Sequence, residues 1–118
     1  MPEKTAAEKV GVKPGQRVRV VGDVDVALAG AGTIVADGTA DVVLLGAESA
    51  EDLERIDALR GAIARDGAIW VIRPRGRDDL TEAMVLGAGR AAGLYDVKIA
   101  RISDTHTGMK FVIPVAAR

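Results

Sequence analysis

The chain has 118 residues, no cysteine, 16 basic and 17 acidic side chains, and a net charge of -1. Lacking cysteine, it has no disulfides, thiolate nucleophiles or cysteine-ligated zinc or iron–sulfur centres, and its balanced charge offers no overall field to draw it onto nucleic acid or anionic lipid. Aromatic residues at 3% are too few for a base-stacking platform, and no apolar run approaches the ~18 residues of a membrane span.

Residues Thr5 to Val10 read as a short helix or loose arm, so that 1–13 stands before the body of the fold, and Pro14-Gly15 turns the chain into it. Arg17 to Val21 is β-branched and reads as a first strand ending at Gly22. Asp23 to Leu28 has room for a short helix before Gly30-Ala31-Gly32 stops it, and Thr33 to Ala36 reads as a brief second strand before a turn at Asp37-Gly38-Thr39.

Asp41 to Gly46 and Ala68 to Ile72 are almost wholly apolar, as strands buried on both faces are. Between them Leu53, Ile56, Leu59 and Ile63 recur at helical spacing, with Glu51, Glu54, Asp57 and Arg60 on the other side. Ser49 and Asp52 stand where a helix N-terminus is capped, and Gly67 where it ends. This strand, helix and strand form a βαβ unit and make the class α/β.

Arg73 to Asp78 reads as a loop, and Asp79-x-x-Glu82 as a box capping a helix that runs to about Ala92. That helix carries Ala83, Gly87, Ala88, Gly89, Ala91 and Ala92. An interior glycine costs up to ~1 kcal/mol against alanine, so its backbone is expected to lie close against the sheet or another subunit. Tyr95 to Ser103 alternates as a strand, with Tyr95, Val97 and Ile99 on one face. After a turn at Asp104 to Gly108, residues Met109, Phe111, Ile113 and Val115 share a face of a returning strand, and the short connection makes the pair an antiparallel hairpin. One domain over 1–118 is expected, with a mixed, mostly parallel sheet flanked by helices.

Arg73, Arg75 and Arg77 follow a strand at the sheet edge where open α/β folds bind ligands, and beside a helix N-terminus they suit phosphate or carboxylate; a solvated, salt-bridged loop is the alternative. His106 is the only histidine, which excludes His-rich metal sites. Asp104, Thr105 and Thr107 around it fit either proton transfer or a polar hairpin tip. Asp23, Asp25, Asp37 and Asp41 match no calcium loop and read as caps and turn residues. Ser49 and Ser103 lie in no nucleophile elbow, and there is no phosphate-binding loop ending in Gly-Lys-Ser/Thr. No catalytic residue, metal or cofactor is assigned.

Strand, helix, strand, helix and terminal hairpin is the order of the second half of a class I S-adenosylmethionine-dependent methyltransferase. Val12 to Gly22 is similar to the lead-in of that family's first motif, and Gly67 to Pro74 to its fifth strand. Over nearly its full length the chain resembles the bacterial domain-of-unknown-function family 3052. The Val-Lys-Pro-Gly-Gln stretch at 12–16, Asp41 to Leu45, Pro74-x-x-x-Asp78-Asp79-Leu80-Thr81, and Asp104 to Gly108 leading into Lys110-Phe111-Val112 carry this resemblance. It implies a reduced Rossmann-like fold with sheet order 2-1-3-4-6-5 and no particular activity. The methyltransferase pattern fails at Gly22-Asp23-Val24-Asp25, where carboxylates replace the glycines that let backbone approach the cofactor.

Two functional expectations follow. The first is a non-catalytic binding or protein-interaction module, acting through self-association or a protein partner, with the small-residue face of Ala83 to Ala92 and the hairpin edge as the surfaces for a homodimer. The second is a binder or enzyme for a nucleotide-like or other anionic small molecule at Gly22, Asp37, Gly46, Arg73, Arg75 and Arg77. No nucleic-acid or membrane partner is expected. Neither is a leader, since Met1 to Thr5 has no basic and apolar signal regions, and the expected location is cytoplasmic.

Overall fold

The computed structural model describes residues 5–118, so the first four residues of the expected arm lie outside the described ones. Six strands form a single mixed sheet in the order β2-β1-β3-β4-β6-β5. They are β1 (Arg17–Val21), β2 (Thr33–Ile34), β3 (Ala40–Gly46), β4 (Ile63–Pro74), β5 (Tyr95–Arg101) and β6 (His106–Val112). The first four run parallel, while β6 pairs antiparallel with both β4 and β5. Class, strand order and terminal hairpin agree with the expectation. Among the described residues three α-helices flank the sheet: α1 (Ala6–Val10), α2 (Arg55–Arg60) and α3 (Glu82–Ala91).

Alternation along the central strands divides the core in two. Val43, Leu45, Ile69, Val71, Met109 and Phe111 face α2 and α3, meeting Ile56, Leu59, Leu80 and Val85. Val18, Leu44, Trp70 and Ile72 face the opposite way, toward Val10 of α1 and Leu28 in the 3-10 turn Val26–Ala29. Central β3 and β4 are buried from both sides, which is why they read as unbroken apolar runs. β1 carries Arg19 in register with Val43, on the α2 and α3 side, and Arg17 at its start is exposed. No helix among the described residues is long and apolar enough to cross a membrane.

Glycine decides two close approaches. A Cβ added at Gly89 would overlap the ring of Phe111, its Cδ1 being 2.6 Å away, so α3 sits directly on the sheet there. Gly108 on β6 lies under the Trp70 indole, with Cε3 3.0 Å from such a Cβ.

Several local expectations are corrected. The helix after Ser49 does not reach Gly67: a 3-10 turn over Ala50–Glu54 leads into α2, which stops at Arg60. Ile63 continues the helical spacing in sequence yet opens β4 beside Ala40, and the pairing resumes at Val42 with Ala68. The bulge so formed contains Gly67, where a Cβ would stand 2.8 Å from the Asp41 carbonyl oxygen.

The side chain of Ser49 caps nothing; instead Asp52 Oδ2 accepts the Glu48 N–H at 2.9 Å. This bond, ahead of smaller contributions, holds the Asp52 carboxyl below its ordinary range. On α3 the cap is Thr81, whose hydroxyl accepts the Met84 N–H at 3.2 Å, because Asp79 is engaged by Arg77. The β2 ladder is only Thr33–Ile34. A register shift between Asp96 and Lys98 breaks the alternation of β5, leaving Tyr95, Val97 and Ile99 60%, 50% and 51% exposed. Val115 lies beyond β6 in a terminal 3-10 turn and is exposed.

Candidate functional site

Because β1, β3 and β4 are parallel, Val21, Gly46 and Pro74 end on one edge of the sheet. Antiparallel β6 starts there, with His106 opposite Pro74. A cavity of about 310 Å³ opens on this edge, on the Trp70 side of the sheet. Its apolar wall is Val24, Leu28, Ile72 and Ile102, and its polar groups are Asp23, Asp25, Glu48, Ser103 and His106.

The segment after β1 lies directly on the end of β3, and glycines make that possible. Gly22 adopts φ +81°, and a Cβ on it would stand 2.7 Å from the Gly46 carbonyl oxygen. One on Gly46 would meet the Asp23 carbonyl oxygen at 2.6 Å. This contact turns residues 23–25 into the cavity wall. Asp25 Oδ1 accepts the Ala27 N–H at 3.0 Å and so starts the 3-10 turn that carries Leu28. Asp23 and Glu48 form no ion pair among the described residues.

His106 is held by its own hairpin. Ser103 Oγ accepts the N–H groups of Thr105 at 3.2 Å and His106 at 3.1 Å. Thr105 Oγ1 stands 2.8 Å from His106 Nδ1, which leaves Nε2 as the ring nitrogen free for a ligand.

None of the six ligand candidates read from the sequence lines this cavity: the structure brings Gly22 and Gly46 into contact beside it, and of the rest Arg77 lies near enough to Glu48 to feel its charge. Asp37 is exposed in the turn before β3. The three arginines bond to the protein itself. Arg73 Nη1 donates to the carbonyls of Pro74 and Leu80 at 3.3 and 3.4 Å, and Arg75 Nη1 to the Asp104 carbonyl at 3.5 Å. Arg77 grips Asp79 with two bonds of 3.0 and 2.6 Å. That fork raises the Arg77 pKa and lowers that of Asp79.

The aspartates likewise separate. Asp23 and Asp25 line the cavity. Asp41 is at the other end of β3, where its carboxylate accepts the Arg17 N–H at 2.8 Å. Glu48 was not singled out from the sequence; the available signal was its position just past a buried strand. Among the described residues, no group of three or more histidine and carboxylate side chains is placed to hold a metal ion. Chemically the cavity offers negative charge, one oriented imidazole and an apolar wall.

No protein-family model matches the sequence, and neither does any curated protein. Solved structures do resemble it. A SAM-dependent methyltransferase from Aquifex aeolicus superposes with a TM-score of 0.67 at 13% identity, covering 91% of this chain and 87% of that one. A TehB-like SAM-dependent methyltransferase from Corynebacterium glutamicum gives 0.63 at 11% identity over 95% and 89%. A ribosomal protein L11 methylase from Lactobacillus delbrueckii subsp. bulgaricus gives 0.63 at 17% over 92% and 74%. At such identities the likeness shows the fold: a methyltransferase-like Rossmann architecture.

Proposed function

We propose that this chain is a non-catalytic binding module on a reduced methyltransferase-like fold, and that it holds a small, positively charged molecule in the strand-end cavity. The carrying observation is the cavity's polar lining: Asp23, Asp25 and Glu48, with no arginine or lysine among the described lining residues; Arg77, whose charge reaches Glu48, is taken up by its fork with Asp79. A phosphate or carboxylate placed there meets like charge, whereas an ammonium, guanidinium or sulfonium is attracted. The position supports the reading, since ligands of open α/β sheets sit outside the carboxyl ends of the strands.

The non-catalytic part rests on how the reactive groups are spent. Gly22 gives its freedom to the contact with Gly46, and Ser103 Oγ accepts two backbone N–H groups. His106 then serves as a hydrogen-bonding partner for the ligand. Membership of the domain-of-unknown-function family 3052, with its bacterial setting, and a cytoplasmic location belong to this same proposal, supported by the motif resemblance and by the absence of cysteine.

The test is a ligand panel read by thermal shift and calorimetry: spermidine, agmatine and S-adenosylmethionine as cations, S-adenosylhomocysteine as the net-uncharged counterpart of the last, and AMP and sugar phosphates as anions. At a concentration near 100 Kd a cationic ligand adds about 2.7 kcal/mol of stability, and Glu48→Gln or Asp23→Asn weakens the effect. If the anions stabilise instead and Arg75→Ala removes that response, the arginine loop is the site and the charge argument is wrong. Measured methyl transfer from S-adenosylmethionine overturns the non-catalytic reading.

A further inference from the structure

The opposite face of the molecule carries a second concavity, independent of the strand-end cavity. A groove of about 450 Å³ runs between α3 and the stretch formed by the 3-10 turn 50–54 and α2. Ala83, Gly87 and Ala91 form its exposed α3 wall at i, i+4 and i+8, Met84 contributes to its floor, and Glu54 and Asp57 stand on the far side. That stripe spans about 12 Å, roughly two helical turns.

Gly87 has no reason inside the chain. A Cβ built on it meets nothing within 4 Å. Its neighbour Gly89 is demanded by Phe111, yet Gly87 weakens an exposed helix and relieves no contact. The missing side chain matters only to something lying over the groove, where it lets another backbone come close. Glu54 and Asp57 supply the second observation: both are exposed, and neither forms an ion pair among the described residues. An apolar trough with small residues on one wall and unpaired carboxylates on the other complements a segment that is small and apolar on one side and basic along one edge.

We infer that this groove docks an amphipathic helix of a partner protein, its Ala- and Leu-type residues at i, i+3, i+4 and i+7 seated over Gly87 and its lysines or arginines aligned with Glu54 and Asp57. A second copy of this chain fits less well. A twofold axis across the groove sets the Glu54 and Asp57 carboxylates of the two copies against each other, and one along it seats them over Ala83, Gly87 and Ala91, which offer no cation.

The experiment uses a synthetic helical peptide with an Ala/Leu face edged by lysine, beside a peptide with the same face edged by glutamate. Binding to the full chain is read by fluorescence anisotropy, with melting curves for every variant. The lysine peptide binds, and the glutamate peptide binds weaker by about tenfold or more. Gly87→Gln fills the trough, and Glu54→Lys with Asp57→Lys reverses its edge; each weakens the lysine peptide by about tenfold or more while the protein melts no lower than the parent does. No binding of the lysine peptide, equal binding of both peptides, or affinity unchanged in Gly87→Gln overturns the inference. So does light scattering that finds a dimer which Gly87→Gln dissociates, because the occupant is then a second copy.

Discussion

Two glycines two positions apart in α3, Gly89 against the sheet and Gly87 on the exposed side, are expected to respond to alanine in opposite directions. At Gly89 the new methyl overlaps the ring of Phe111, which is wholly buried between α3 and the sheet. Overpacking of this kind costs about 1–3 kcal/mol, against which the improved helix propensity returns up to ~1 kcal/mol. So deep an overlap puts the cost at the upper end, about 2–3 kcal/mol, and the net for Gly89→Ala is a loss of about 1–2 kcal/mol. At Gly87 the methyl meets open space, so only the propensity term remains and Gly87→Ala gains about 0.5–1 kcal/mol. For a domain of this size each kcal/mol moves the melting temperature by roughly 3–5 °C. Gly89→Ala therefore melts several degrees below the parent and Gly87→Ala a few degrees above it. Thermal melts by circular dichroism, checked by urea titrations with unchanged m-values, measure both. A Gly89→Ala protein as stable as the parent would refute the seating of α3 on Phe111, and with it the packing that gives the helix-side groove its shape.

The capping assignments give a second contrast. Thr81→Ala removes the bond to the Met84 N–H and costs about 1 kcal/mol, whereas Ser49→Ala, at a position that caps nothing, changes stability by less than about 0.5 kcal/mol; urea titration separates the two. Asp52→Asn tests the acid side. The Glu48 N–H holds the Asp52 carboxyl below its ordinary value of 3.8, so its stabilisation is fully present above that pH and disappears as pH falls through the depressed folded pKa. The variant melts below the parent at neutral pH, by no more than about 1 kcal/mol for a half-buried surface group, and the two curves converge in acid. A gap that stays constant to low pH contradicts the assignment.

The fold was legible where burial dictates composition. Asp41 to Gly46 and Ala68 to Ile72 can be apolar on both faces only in the middle of a covered sheet, and the short connection between β5 and β6 permits only an antiparallel return, although the strand opens at His106, inside the turn read at Asp104 to Gly108. Legibility failed where one residue satisfies two patterns. Ile63 lies four positions after Leu59 and extends a helical stripe, yet pairs with Ala40 in the sheet, while Gly67 looks like a helix stop and is the close contact of a bulge. The strand-end cavity was hidden for a different reason. Asp23, Glu48, Ile72 and His106 come from four separate strand ends, and only the order β1-β3-β4-β6 makes them neighbours. The arginines at 73, 75 and 77 were placed correctly after β4, but their bonds depend on tertiary partners at Leu80 and Asp104 and on local pairing with Asp79. No pattern of spacing displays those.

The charge preference of the strand-end cavity is tested most directly by two-dimensional NMR of the uniformly labelled protein, titrated separately with spermidine and with AMP. A cavity that takes cations moves the signals of Val24, Glu48, Ile72 and His106 with spermidine, saturably, and leaves them in place with AMP. Shifts produced by AMP at those residues, or by AMP at Arg73 to Arg77 while spermidine moves nothing, would contradict it.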